Sequence, residues 1–450
     1  MKRGVALSED ARQLVHVSAG LGALLLPWLT WFEATMLAAV AVTFNMWGLH
    51  RLGGARLFRA DEHGRWRAKS GIVLYPASVL GLLLLLPSRP DIVAASWGVL
   101  AAGDGAATLV GRRLPLRPLP WNPHKSLGGS LAFVVFGSVA AVGLLWWCAD
   151  TIVPPSFWWF PLVAGISGAL LAASVETIPI SLDDNLSVAA TAAAVMWTLS
   201  IVSEDAIRNF VPQAVAVLPI AIGVNAVVAA AGYFARTVSL SGTLVGAGLG
   251  TVIFLSTGWQ GWALLLATFA VAVITSRLGL ARKQALKIEE ERGGRRGAGN
   301  AIANTGIAAA AAVISVTSYG HDPALIAFVG ALAAGGSDTV ASEIGKAWGR
   351  RTFLVPSMKK VRPGTPGAMS LEGTIAGLLG ALLLASAGVG LGLIDGEVVP
   401  VIVLAATIGA LVESLLAVTF ERRGVLNNDV LNFLNTATAA YVAIRLTEFL

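Results

Sequence analysis

Two aspartates set in apolar sequence carry most of the chemistry available to this chain. Asp104 lies in GDGAATLVGRR (103–113) and Asp338 in GGSDTVASEIGKAWGRR (335–351), each followed by alanine at +3 and glycine at +7. Asp104 stands about eight residues, or roughly 12 Å along a helix, from Arg112, which places it within a bilayer's thickness. A carboxylate there costs a few kcal/mol unless it is paired, bound to a cation or hydrated. Its recurrence at matching depth, with Glu343 following the second copy, favours a bound ion or substrate over a structural salt bridge.

The sequence around each aspartate offers phosphate and metal ligands. Lys125, Ser126, Gly128, Gly129 and Ser130 put a cation, hydroxyls and close-approach backbone at a helix start, where free N–H groups and the dipole attract anions. PGTPGAMSLEGT (363–374) offers Gly364, Thr365, Gly367, Ser370, Glu372, Gly373 and Thr374 in the same setting. Glu176, Asp183, Asp184 and Asn185, with Glu413, Asn428, Asp429 and Asn432, add oxygen ligands. Magnesium is held by one or two carboxylates together with phosphate oxygens and water, so a Mg-nucleotide suits this dispersed supply. Asp183 and Asp184 also read as a helix N-cap. His16 reads as a packed or capping group, and His124 stands beside Lys125, placed to touch phosphate. GAGLGT (246–251) lacks the lysine of a phosphate loop, and Gly242, Gly246 and Gly250 read as a helix-packing face. HExxH, CxxC and GxSxG do not occur, and the single cysteine, Cys148, excludes an intrachain disulfide.

The elements holding these residues are membrane helices. The chain is 56% hydrophobic and 13% charged, and its apolar stretches predict about fifteen transmembrane helices, an all-α polytopic membrane protein. They fall near 12–27, 31–48, 70–87, 91–112, 127–148, 157–175, 186–203, 211–231, 239–256, 259–277, 299–318, 322–345, 370–392, 398–418 and 430–448. With a cytoplasmic N-terminus, all Lys and Arg except Arg89, Arg208 and Arg445 fall at or near cytoplasmic ends, as basic loops resist translocation. The net charge of +6 then lies on one face. Trp146, Trp147, Trp158 and Trp159 read as an interfacial belt.

The landmarks recur in order. AKSGIVL (68–74) matches ANTGIAA (303–309), KSLGGS (125–130) matches MSLEGT (369–374), and Glu176 with DDNLS matches Glu413 with NNDVLN. This order predicts two parallel repeats of about seven helices joined by one extra helix, 211–231, so that both motif sets face the cytoplasm. The expected domains are 1–203, a connecting segment 204–238 with linkers at 204–210 and 232–238, and 239–450. The basic loops 49–69 and 278–298 are each expected to hold a short amphipathic helix.

The motifs ARQLVHVSAG (11–20), SGIVLYP (70–76), GDGAATLVGRR, KSLGGS and ETIPISLDDNLSV (176–188) resemble the dolichol kinase and phytol kinase family of CTP-dependent polyprenol kinases, over about residues 9–203. The family usually has glutamate where Gly128 stands. From about 211 to 450 the chain resembles the phytyl-phosphate kinases, through NAIANTGIAA (300–309), which carries Asn300 and Asn304, through the Asp338 motif, RPGTPGAMSLEGTIAG and NNDVLNFLNTATAA; Glu372 is retained here. The resemblance implies two successive membrane kinases in one chain. The first would phosphorylate a prenyl alcohol such as phytol, geranylgeraniol or farnesol, and the second would convert the monophosphate to the diphosphate, with CTP as donor and Mg2+ as cofactor. It implies Asp104, Asp338 and Glu343 as catalytic groups. Lys125, Ser126, Gly129, Ser130, Asn300, Asn304 and the 364–374 loop would hold phosphate. Asp104, Glu176, Asp183, Asp184, Asn185, Asp338, Glu372, Glu413, Asn428 and Asp429 would serve the metal.

Two rivals remain. A cytidylyltransferase making a CDP-lipid would also bring CTP and Mg2+ to a lipid phosphate, and would release pyrophosphate. A secondary transporter would use intramembrane carboxylates in repeats, with polar groups converging at the midplane, whereas these motifs lie toward one face.

Overall fold

The computed structural model describes residues 9–49, 70–114, 116–119, 122–151, 158–177, 183–286, 288, 295–355, 357–421 and 426–449. The chain divides into two units, Met1–Ile201 and Val202–Leu450.

In the first unit α1 (Glu9–Ala19) runs into a 3-10 segment, Gly20–Trp28, which contains Pro27. α2 (Trp31–Thr43) opens with a capping box between Thr30 and Glu33 and ends in a π-helical turn, Phe44–Gly48. α3 is Gly71–Leu85, and α4 spans Pro90–Arg113 with a π-helical turn at Val99–Asp104. Strands β1 (Pro118–Leu119) and β2 (Asn122–Ser126) pair antiparallel and lead into α5 (Leu127–Trp147), followed by α6 (Phe160–Thr177) and α7 (Asp184–Ser200). Phe133, Phe160, Leu100 and Met196 fill the core among small residues. Gly103 faces the Phe133 ring and Gly137 faces Gly103, which lets α4 and α5 approach closely beside Asp104.

The second unit begins with α8 (Glu204–Phe234), followed by α9 (Leu240–Arg277), α10 (Leu280–Ala285), α11 (Ala298–Thr317) and α12 (His321–Trp348). Strands β3 (Thr352–Leu354), β4 (Lys359–Lys360) and β5 (Ala368–Ser370) form a small sheet in the order β4-β3-β5. α13 (Leu371–Gly390), α14 (Val399–Thr419) and α15 (Asn428–Thr447) complete it.

Among the described residues nine helices are long and apolar enough to cross a membrane, and Gly71–Leu85 is a shorter apolar helix. The predicted fifteen segments correspond to helical stretches, but several are too short, too polar or too broken for that count. The helices expected at 239–256 and 259–277 are the two arms of α9, which meet at Gly258 with φ +68°. The linker expected at 204–210 is helical instead, because Ser203 caps the helix and Glu204 and Asp205 occupy its first turn, where acidic groups favour the dipole. The five short strands were not anticipated; β2 and β5 each end at a serine that caps the helix it enters. The loop 278–298 does hold a short helix, α10, while its counterpart in 49–69 falls almost wholly outside the described residues. Many large apolar side chains are exposed, among them Leu25, Phe32, Val139, Ile220 and Leu379, as a lipid-facing surface requires.

Candidate functional site

In the first unit the π-helical turn of α4 ends at Asp104, and such turns re-aim the side chains they carry. Asp104 Oδ2 lies 3.5 Å from His16 Nε2. The same nitrogen is 3.2 Å from the Leu100 carbonyl; a carbonyl only accepts, so Nε2 carries the proton. Tyr75 stands edge-on to His16, with ring centroids 4.5 Å apart. Its hydroxyl donates to the His16 carbonyl at 3.2 Å and accepts from Trp97 Nε1 at 2.9 Å.

Lys125, on β2, donates to Glu176 Oε1 at 2.5 Å and to Asp184 Oδ2 at 3.0 Å. Burial alone would pull its ammonium down; the two carboxylates outweigh that and hold it above its ordinary value. Asp183 caps α7, accepting from the backbone and side-chain nitrogens of Asn185 at 3.0 and 2.7 Å.

These groups line one cavity of about 830 Å³, which holds His16, Tyr75, Asp104, Lys125, Asp183, Asp184 and Asn185. The same cavity continues along apolar wall from the 3-10 segment, α2 and α3, with Leu25, Leu29, Leu37, Val79 and Leu83. Glu176 is buried and reaches this site through Lys125. Ser126, Gly129 and Ser130 do not line it. Ser126 caps α5 through the Gly129 N–H at 3.1 Å, and a Cβ on Gly129 would meet the Ala107 carbonyl at 3.0 Å. These residues therefore seat α5 on α4 at the alanine and glycine that follow Asp104. The side chain of His124 is not among those described.

In the second unit α12 presents Asp338 and α14 presents Glu413 to one cavity. Asn435 on α15 donates to Glu413 Oε2 at 2.9 Å. A cavity of about 300 Å³ gathers Asp338, Glu343, Glu413, Asn428 and Asn432 with Asn300, Arg296 and Lys346, and Gly364, Thr365, Gly367, Ser370, Gly373 and Thr374 also line it. Gly367 has φ +72°, a region that only glycine enters freely, and its carbonyl accepts from Ser414 Oγ at 2.7 Å. That bond ties the loop to α14 one residue beyond Glu413.

Glu343 is committed to an ion pair with the buried Lys283 and to Lys346 at 3.2 Å. Glu372 lies outside the cavity and accepts from the Arg351 N–H at 3.4 Å. Asp429 sets its carboxylate against Gly299 in the first turn of α11, also outside the lining, and Asn304 lines a different hollow. Ser370 caps α13 through Gly373, and a Cβ on Gly373 would collide with the Ala341 carbonyl, the relation that Ser126, Gly129 and Ala107 show in the first unit.

Among the described residues no three or more His, Cys, Asp and Glu side chains gather into a metal-binding group. The carboxyls meet in pairs or reach a cation. Sequence reasoning passed over Tyr75, Trp97, Lys283 and Arg296, and read His16 only as a packed or capping group. His16 and Tyr75 do stand inside two of the quoted motifs, which was the available signal.

Long apolar helices around buried polar clusters define a multi-pass α-helical membrane protein. The chain belongs to the DUF92 integral membrane protein family, whose model matches residues 223–440. An uncharacterized membrane protein of Synechocystis is 37% identical over 201 residues, 44% of this chain and 77% of that protein. Protein VTE6, chloroplastic, of Arabidopsis thaliana is 37% identical over 219 residues, 47% of this chain and 66% of that protein, just short of two thirds. Probable phytol kinase 3, chloroplastic, of Glycine max is 33% identical over 205 residues, 42% of this chain and 63% of that protein. No solved structure gives a significant match.

Proposed function

We propose that this protein is a membrane prenol kinase that phosphorylates a prenyl alcohol in its first unit and the resulting prenyl monophosphate in its second, with a Mg-nucleotide, CTP, as donor and both sites facing the cytoplasm. The observation that carries this reading is the two-part cavity of the first unit, where His16, Asp104, Lys125 and Asp184 stand at one end of a continuous apolar lining. Such a shape suits a molecule that is a hydrocarbon with one reactive polar end. The relatives named phytol kinase and farnesol kinase support the substrate class.

In the first unit the acceptor hydroxyl forms the new bond to the terminal phosphorus, the bond to the bridging oxygen breaks, and the nucleoside diphosphate leaves. Asp104 takes the hydroxyl proton, with His16 beside it, and Lys125 neutralises phosphate charge. In the second unit Asp338 and Glu413 are a carboxyl pair of the kind that holds Mg2+ together with phosphate oxygens, and the ion would spread the charge of the transferring group. The 364–374 loop supplies backbone N–H groups to phosphate. The matched Ser–Gly–Ala contacts in the two units support descent from a duplicated half.

The test is purified protein in detergent with Mg-CTP and phytol or farnesol. Monophosphate and then diphosphate should appear with release of CDP. Asp104→Asn should block the first product, and Asp338→Asn should let the monophosphate accumulate. Release of pyrophosphate instead would identify nucleotidyl transfer, and diphosphate formation by Asp338→Asn would remove that residue from the mechanism.

A further inference from the structure

The second unit holds another hollow, of about 150 Å³, bounded by α8, α9, α11 and α12, with Val228, Leu249, Leu265 and Phe269 in its wall. Arg296, Asn300 and Thr339 line both this hollow and the cavity of Asp338 and Glu413, so the two adjoin there. The backbone of Arg296 is fixed at that junction: its N–H donates to the Thr237 carbonyl at 3.1 Å and its carbonyl accepts from the Ser239 N–H at 3.0 Å.

The glycine row of α9 divides in function. A Cβ on Gly242 would strike the Arg296 carbonyl, and one on Gly250 would strike the Asn225 side chain; these two positions are packing contacts. Gly246, between them, lines the hollow, and a Cβ there would meet nothing within 4 Å. The packing-face reading therefore fails at Gly246, where glycine lowers helix stability and leaves space instead. At the far end Trp262 Nε1 donates to Asn225 Oδ1 at 3.1 Å, and Asn225 Nδ2 donates to the Ala221 carbonyl at 2.9 Å. The polar groups there satisfy one another and leave an apolar slot, roughly 10 Å from Gly242 to Leu249 along the helix.

We infer that this hollow receives the first part of the isoprenoid chain of a prenyl monophosphate, with the phosphate at Arg296 and directed toward Asp338 and Glu413, and that Gly246 keeps the slot open. The inference deepens the second phosphorylation proposed above and rests on it for the identity of the ligand.

The experiment uses the full-length protein in detergent and farnesyl monophosphate carrying a diazirine in its first isoprene unit, with adducts mapped by mass spectrometry. Labelling of α8 and α9 around the hollow is expected, displaced by excess geranylgeranyl monophosphate and not by phosphatidylglycerol. Gly246→Leu should reduce it about tenfold, since filling a fitted slot forces its neighbours apart. Gly248→Leu, equally open around its Cβ but exposed and outside the hollow, should leave it unchanged. Both substitutions favour the helix, so an effect confined to Gly246 reports the slot. Labelling confined to the first unit, equal labelling in the two variants, or displacement by phosphatidylglycerol would overturn the inference. Mapped labelling without any CTP-dependent diphosphate would instead overturn the second phosphorylation and leave the chain site standing.

Discussion

Asp338 on α12 and Glu413 on α14 line one cavity, and Asn435 on α15 donates to Glu413 Oε2 at 2.9 Å. In the second phosphorylation proposed above, Mg2+ would be held by these two carboxyl groups, where a proton would compete with it. Lowering the pH should raise the Mg2+ concentration needed for half-maximal diphosphate formation. Glu413→Gln, which keeps a hydrogen bond but loses a charge, should cut the second step by about a hundredfold or more, the scale of a lost electrostatic group in an active site. Supplied prenyl monophosphate is the substrate for that assay, and monophosphate formation from the alcohol should remain within about threefold of wild type, since the two steps are read separately. A Mg2+ requirement that does not move with pH would remove the pair from metal binding.

The helices and their order were legible because apolar length and the spacing of Gly, Asp and Ser survive in sequence. Asp338, Glu413, Asn428 and the 364–374 loop were expected at one site, and the structure brings them to one cavity. What could not be read was which polar residue is already spent. Glu343 follows Asp338 in the same helix but turns to Lys283, which lies on α10 and 60 residues away in sequence. His16 was set aside as a lone histidine, yet α1 carries it to within 3.5 Å of Asp104. Both outcomes depend on helix rotation and on contacts between distant segments, which no local pattern records.

Lys125 joins Glu176 and Asp184, and Glu176 is buried. Replacing Lys125 by Met strands that carboxylate, so destabilisation of about 1–3 kcal/mol is expected, below the figure for a fully buried pair because Lys125 is partly exposed. Lys125→Met with Glu176→Gln should regain much of the loss, and monophosphate formation should fail in both. The folded state holds the ammonium above its ordinary value of 10.5. Its stabilisation is therefore complete below that value and fades only as pH rises through the folded one. Thermal inactivation followed from pH 6 to 9 should show no contribution from this lysine, and one that grows across that range would contradict the assignment.

Gly128 in KSLGGS and Glu372 in MSLEGT stand at matching places in the two units. Glu372 is outside the cavity, so Glu372→Gln should leave diphosphate formation within about threefold of wild type, as surface changes away from a site commonly do. A Cβ on Gly128 would lie 2.8 Å from the Leu114 carbonyl. Gly128→Glu should thus lower stability by about 1–3 kcal/mol through overpacking and bring no gain in monophosphate formation. A faster Gly128→Glu enzyme would show that the missing carboxylate matters after all.

Tyr75 and His16 offer the sharpest division between the two units, because among the described residues their hydrogen-bond and ring partners lie in the first. The Tyr75 hydroxyl donates to the His16 carbonyl and accepts from Trp97. Tyr75→Phe removes both bonds at once, leaving the Trp97 N–H without that acceptor, at a cost of about 1–3 kcal/mol for a buried unsatisfied donor. Its effect on chemistry passes through the position of His16, so kcat for monophosphate formation should fall by about tenfold with little change in KM for the nucleotide. His16→Phe removes the ring nitrogen beside Asp104 and should lower the same step by about a hundredfold, the range expected for a group assisting proton transfer. Neither variant should slow conversion of supplied prenyl monophosphate to diphosphate. If both steps fell together in His16→Phe, with the protein still folded by circular dichroism, His16 would belong to a shared requirement of the chain rather than to a first, separate phosphorylation at Asp104.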